Sequence, residues 1–133
     1  MSATDPASLS LEARARVLVE ALPYMQQYRD AVMVVKYGGA AMGDESLADS
    51  WAKDVALLEH VGIQPLVVHG GGPALTRMMQ RLGIETKFVD GHRMTTRESA
   101  ELAEMVLSGR INKEVVARLN RAGARAIGLS GTD

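Results

Sequence analysis

The stretch Val32-Met-Val-Val-Lys-Tyr-Gly-Gly39 is a run of strand-forming residues that ends in one lysine and two glycines. A second run, Pro65-Leu-Val-Val-His-Gly-Gly-Gly-Pro73, repeats the arrangement with three glycines and no lysine. Between them, Asp44 and Glu45 open a helical pattern that continues to about Val61. Its apolar positions Leu47, Trp51, Val55 and Leu58 share one face, and Gly62 ends it. Strand, helix, strand with short loops predicts an α/β fold with a mainly parallel sheet, and the right-handed crossover rule makes the two strands parallel. Both glycine turns then reach the C-terminal edge of the sheet, where open parallel sheets bind ligands.

Working outward, residues 8–29 read as a helix with Ser8 or Ser10 as N-cap, Glu12 in its first turn and a kink at Pro23. Leu11, Ala15, Leu18, Leu22 and Met25 form a heptad-like seam on it. Downstream, Pro73 suits the first turn of a helix that ends near Gly83. Residues 86–89 and 92–95 flank Asp90-Gly91 as a hairpin, expected near the crevice as a flap. Thr95 with Glu98 suggests a capping box for a helix over 96–108; Gly109 then marks a break before a helix over 110–122. Residues 125–129 read as a third strand. An α/β domain that stops on a loop at its functional rim, Ser130-Gly-Thr-Asp133, looks cut, so the chain is expected to be the first part of a longer protein.

Bulk composition excludes several classes. In 133 residues, 15 Lys and Arg face 16 Asp and Glu, which argues against a basic nucleic-acid surface but not against a small anion. With no cysteine there is neither a disulfide framework nor a thiolate metal site, and no metal site is expected. No apolar run approaches the roughly 20 residues of a membrane helix, and the acidic N-terminus does not read as a signal peptide. A cytoplasmic location is expected.

The chemistry lies in the two turns. Glycine lets backbone approach a ligand, and a helix N-terminus offers unpaired N–H groups. Two such turns with Lys36 between them suit an oligoanion, as phosphoryl transfer requires. An acceptor that is already ionised, such as a carboxylate, needs no general base. Arg93 could grip a carboxylate or be a surface charge, and His69 reads as a structural histidine. The glycine spacing matches neither the P-loop nor the dinucleotide fingerprint.

Four stretches in order, VMVVKYGGAAM, PLVVHGGGPALTRMMQRLGI, FVDGHRMTTRESAELAEMVLSGRINKEVVARLN and AIGLSGTD, resemble the N-terminal half of the acetylglutamate kinases, in the amino acid kinase family. The resemblance covers nearly all of residues 31–133. It implies an αβα sandwich of which this chain is the N-terminal lobe. It also implies ATP-dependent phosphorylation, with Mg2+, of the side-chain carboxylate of N-acetyl-L-glutamate in arginine biosynthesis. By that resemblance Lys36 stabilises the transferring phosphoryl group, Gly38 and Gly39 lie beside the ATP γ-phosphate, Gly71 and Gly72 contact the acyl amino acid, and Arg93 holds its carboxylate. His92 and Thr132 depart from residues common in the family. Residues 1–30 would be an oligomerisation arm and 31–133 the substrate-binding lobe: a homo-oligomer, dimeric through the lobe and hexameric through the arm, with arginine as feedback inhibitor. Two alternatives stand beside this reading: a sister kinase acting on carrier-bound aminoadipate or glutamate, and a non-catalytic ligand-binding or assembly module.

Overall fold

The computed structural model describes residues 9–38, 42–131 and 133. Its elements run α1 (Leu11–Gln27), β1 (Val32–Tyr37), α2 (Glu45–His60), β2 (Gln64–His69), α3 (Gly72–Arg81), β3 (Phe88–Val89), β4 (His92–Arg93), α4 (Arg97–Glu104), a π-helical segment (Met105–Ile111) and α5 (Asn112–Arg121). Strands β1 and β2 pair in parallel from Val32↔Gln64 to Tyr37↔His69, as the crossover rule predicts. The glycine turns therefore leave the sheet side by side.

Local chemistry accounts for the element ends. The Ser10 hydroxyl accepts from the Ala13 N–H and caps α1. Pro23 lies inside that helix, which continues to Gln27. The Asp44 carboxylate caps α2 by accepting from the N–H groups of Ser46 and Leu47, which hold its pKa below the usual carboxylate value, the Leu47 bond most strongly. Asp90 and Gly91 both take positive φ, 49° and 79°, the backbone of a tight hairpin turn.

One face of the β1–β2 pair is covered. Val35, Tyr37 and Val67 pack into a core with Ala48, Ala52 and Val55 of α2, Leu75 and Met79 of α3, and Val115 and Leu119 of α5. The expected apolar stripe on α2 is rotated. Its buried positions are Ala48, Ala52, Val55 and Ala56, while Leu47 is half exposed. Small side chains let the helix backbone approach the sheet closely, so the seam follows the alanines rather than the largest apolar residues.

Three further expectations are corrected. The cap of α4 is Thr96, not Thr95: its hydroxyl accepts from the Ser99 N–H at 3.2 Å, and the Ser99 hydroxyl donates back to the Thr96 carbonyl at 2.9 Å. Gly109 does not break the helix, because the chain passes through it as a π-helical turn. Buried Leu102, Val106, Ile111, Val115 and Leu119 explain this: the step from 106 to 111 is one residue longer than the others, and a π turn absorbs it. Finally, residues 125–129 form no strand ladder among the described residues. Asn120 of α5 takes the hydrogen bonds a neighbouring strand would make, accepting from Ala126 N–H at 2.8 Å and donating to Ala126 C=O at 3.1 Å. Asn112 donates to the Leu129 carbonyl at 3.2 Å.

Helix α1 stands apart, with none of its residues buried and Leu11, Leu18 and Val19 65 to 83% exposed. It does not pack its seam into the core.

Candidate functional site

The C-terminal ends of β1 and β2 open into a cavity of about 700 Å³. Lys36 and Gly38 form one wall, Gly71 and Gly72 the mouth of α3, and residues of α2, the π segment and α5 the remainder. The sequence-predicted Lys36, Gly38, Gly71 and Gly72 are thus brought together. Gly39 lies outside the described residues.

The glycines have different reasons to be glycine. A Cβ on Gly38, Gly70 or Gly72 would meet nothing within 4 Å, so those positions leave open space. Gly71 is buried, and a Cβ there would drive into Ile111 Cδ1 and Leu107 Cδ2 of the π segment. Its φ of 167° is ordinary extended backbone. Close packing, not an unusual dihedral, demands glycine at 71. Helix α3 then starts with no side-chain cap and with Pro73 in its first turn, so its first N–H groups stay available to an anion at the cavity mouth.

Arg93 is placed elsewhere. Its guanidinium donates to Thr76 Oγ1 at 2.6 Å and Thr86 Oγ1 at 3.3 Å, contacts Met79 Sδ, and lies 4.8 Å from the centre of the Phe88 ring. It fastens the hairpin to the far side of α3 and does not line the cavity, nor does any described residue of the hairpin. His69 behaves as a structural group. Its Nδ1 lies 3.0 Å from the Gly70 carbonyl and its Nε2 3.3 Å from the Asn112 amide, and one neutral tautomer satisfies both. Gly128 makes room for Asn112, whose Oδ1 is buried without a partner among the described residues.

Sequence reasoning missed the cationic lining. Arg77, Arg81, Arg110 and Arg118 join Lys36 around the cavity, against the carboxylates of Asp44, Glu45 and Glu114. Five cations against three anions leave the crevice positive in a chain whose net charge is -1, and a cleft of one sign concentrates oppositely charged ligands. Two of the five are committed. Arg110 pairs with Glu114 at 2.9 Å, while Arg118 bridges Glu45 at 2.6 Å and Asp49, tying α5 to the first turn of α2. Beneath them Tyr37 stacks on Trp51 at 3.8 Å, and burial raises its phenol pKa while Arg118 opposes the rise. Among the described residues, no three His, Cys, Asp or Glu side chains are grouped to hold a metal, and no helix is long and apolar enough to cross a membrane.

Comparison with known proteins bears on this geometry. The amino acid kinase family matches residues 31–133. The chain is 58% identical to the acetylglutamate kinase of Novosphingobium aromaticivorans over 97% of its own length and 42% of that enzyme's. It is 57% identical to that of Rhodospirillum centenum, over 91% of its length and 40% of the relative's. For Zymomonas mobilis the identity is 52% over the whole chain and 44% of the enzyme. The chain thus spans less than half the length of the curated relatives it matches. Among solved structures it resembles the N-acetylglutamate synthase of Neisseria gonorrhoeae complexed with coenzyme A and N-acetyl-glutamate, with TM-score 0.69 and 25% identity over 90% of this chain and 27% of that one. The complex of that synthase with coenzyme A and L-arginine gives TM-score 0.61 and 25% identity, over 91% and 28%.

Proposed function

The chain belongs to the amino acid kinase family, and from that premise we propose that it forms the acyl-amino-acid lobe of an ATP-dependent kinase for the side-chain carboxylate of N-acetyl-L-glutamate. One observation carries the reading: two glycine turns and Lys36 share one positive cavity at the C-terminal edge of a parallel pair.

In the proposed reaction a carboxylate oxygen attacks the γ-phosphorus of ATP and the bond to the ADP oxygen breaks, giving an acyl phosphate and ADP. The acceptor is ionised at neutral pH, so no residue has to remove a proton. Lys36 neutralises charge gathering on the transferring group, with Gly38 and Gly39 alongside. Gly72 leaves room for the acyl amino acid, and Gly71 fixes the turn by packing on the π segment. Arg93 holds the substrate's free carboxylate once its bonds to Thr76 and Thr86 are exchanged for it. Magnesium typically comes to such sites on one or two carboxylates plus substrate phosphates, and Asp44, Glu45 and Glu114 line the cavity without forming a cage, which fits an ion delivered with the nucleotide. When bound, it supplies neutralisation of phosphate charge.

The exposed seam of α1 supports an assembly role for residues 1–30, with pairing through residues 31–133. The synthase solved with L-arginine supports arginine as an effector of the assembled protein. In a protein of the relatives' full length carrying this segment, Lys36→Ala should lower kcat by roughly 10²- to 10³-fold and leave the N-acetylglutamate KM nearly unchanged. A kcat within a few-fold of wild type would remove Lys36 from the chemistry. Titration calorimetry of the 133-residue chain itself tests the second reading: uptake of N-acetylglutamate without MgATP is what a ligand-binding module would show.

A further inference from the structure

We infer that Arg77 and Arg81 of α3 form a second anion subsite in the crevice, gripping the phosphates of an oligophosphate that stand behind the terminal, transferring one at Lys36 and Gly38. This rests on the reading of the crevice as a phosphoryl-transfer site but names residues that reading does not use.

Three observations converge. Ala74, Arg77, Met78 and Arg81 all line the cavity, and their spacing of three and four residues is one continuous face of α3. That face begins at the glycine mouth and, at about 1.5 Å per residue, carries the charges progressively away from it along the wall. Second, Arg77 and Arg81 are like charges at i and i+4, an arrangement that weakens a helix, and α3 contains no acidic residue to relieve it. Third, the other arginines of the crevice already have carboxylate partners, Arg110 on Glu114 and Arg118 on Glu45 and Asp49. Among the described residues Lys36, Arg77 and Arg81 form no ion pair, so they are the cations left to meet a ligand. Arginine forks fit phosphate oxygens two at a time, and a bound anion between Arg77 and Arg81 turns their mutual repulsion into shared attraction.

The probe is inorganic tripolyphosphate, titrated calorimetrically into the 133-residue chain at low salt. The wild type should bind, and Arg77→Gln with Arg81→Gln should weaken binding by about tenfold or more, the order expected for losing charge-assisted hydrogen bonds. Arg14→Gln, on α1 and away from the cavity, should leave it unchanged. Far-UV circular dichroism of each variant reports folding, and the single substitutions Arg77→Gln and Arg81→Gln serve if the pair does not fold. Equal binding by wild type and the α3 variants, or no binding by the wild type, overturns the subsite. The two levels fail separately. Tripolyphosphate binding through α3, with kcat of the full-length protein unmoved by Lys36→Ala, removes the assigned chemistry and keeps the subsite; the expected loss of kcat with no effect of the α3 arginines on tripolyphosphate does the reverse.

Discussion

The two faces of the β1–β2 pair are built from similar residues and meet opposite fates. On one face Val35, Tyr37 and Val67 sit in the core under α2 and α5. On the other, Val32, Val34, Leu66 and Val68 are 52 to 65% exposed. Strands that alternate apolar with polar announce one wet face, whereas these are apolar on both, the pattern of parallel strands that end up covered on both sides. The bare face therefore has the composition of a covered surface rather than a solvated one. What covers the inner face is a packed layer of alanines, leucines and Met79, and that difference can be tested from each side.

The largest effect should come from the covered side. Met79→Ala empties a site that is 1% exposed and where Arg93 and Thr86 also converge. Urea unfolding should show a loss of about 2–5 kcal/mol, and a loss below 1 would mean that the inner face is loosely packed. Gly71→Ala should follow at about 1–3 kcal/mol, because the added carbon must displace Leu107 and Ile111. Here the control is Gly72→Ala, which meets open space and should be several-fold milder in the same experiment.

On the bare side, Val34→Thr with Leu66→Thr should move stability by only about 0.5 kcal/mol. Self-association, followed by sedimentation velocity, should nevertheless drop, since exposed apolar sheet surface drives it. Unchanged association would show that the two faces differ less than their exposure implies. The smallest effect is one of pH. Hydrogen bonds from Leu47 and Ser46 depress the Asp44 pKa below its unfolded value, so its contribution is present above the unfolded pKa and fades as pH falls through the folded one. Protection of the Ser46 and Leu47 amides against exchange, taken relative to the intrinsic rate at each pH, should fall below about pH 4 in wild type but not in Asp44→Asn; parallel behaviour of the two would dissociate the cap from the carboxylate's charge.

How much of this was readable in the sequence divides along physical lines. The parallel pair, the glycine turns, the cap at Ser10 and the Asp90-Gly91 hairpin were legible because each is decided by residues adjacent in the chain. The third strand was not, because Asn112 and Asn120 intercept its backbone groups, and no pattern within residues 125–129 announces a competitor from α5. The seam of α2 was misread because large apolar residues mark a stripe more visibly than the alanines that permit close approach. In the crevice, Lys36 was legible since a strand end delivers it. Arg77, Arg81, Arg110 and Arg118 each look like solvated charge on their own helices, and only the folded arrangement gathers them. Arg93 was singled out, yet the structure turns it toward Thr76 instead of the cavity.

The π turn at Met105–Ile111 uncouples the length of the chain from the spacing of its core. With buried positions at 102, 106, 111, 115 and 119, the segment holds one residue more than a plain α-helix would need to present the same core. Loss of a single residue between Val106 and Ile111 would restore uniform spacing and leave the inward side chains in phase. The extra residue is accommodated because a helix can take up one residue as a bulge without passing the shift on to its neighbours. The core is thus indifferent to the extra residue. The turn reaches beyond core spacing: it packs Leu107 and Ile111 against Gly71 and sets Arg110 on the crevice wall.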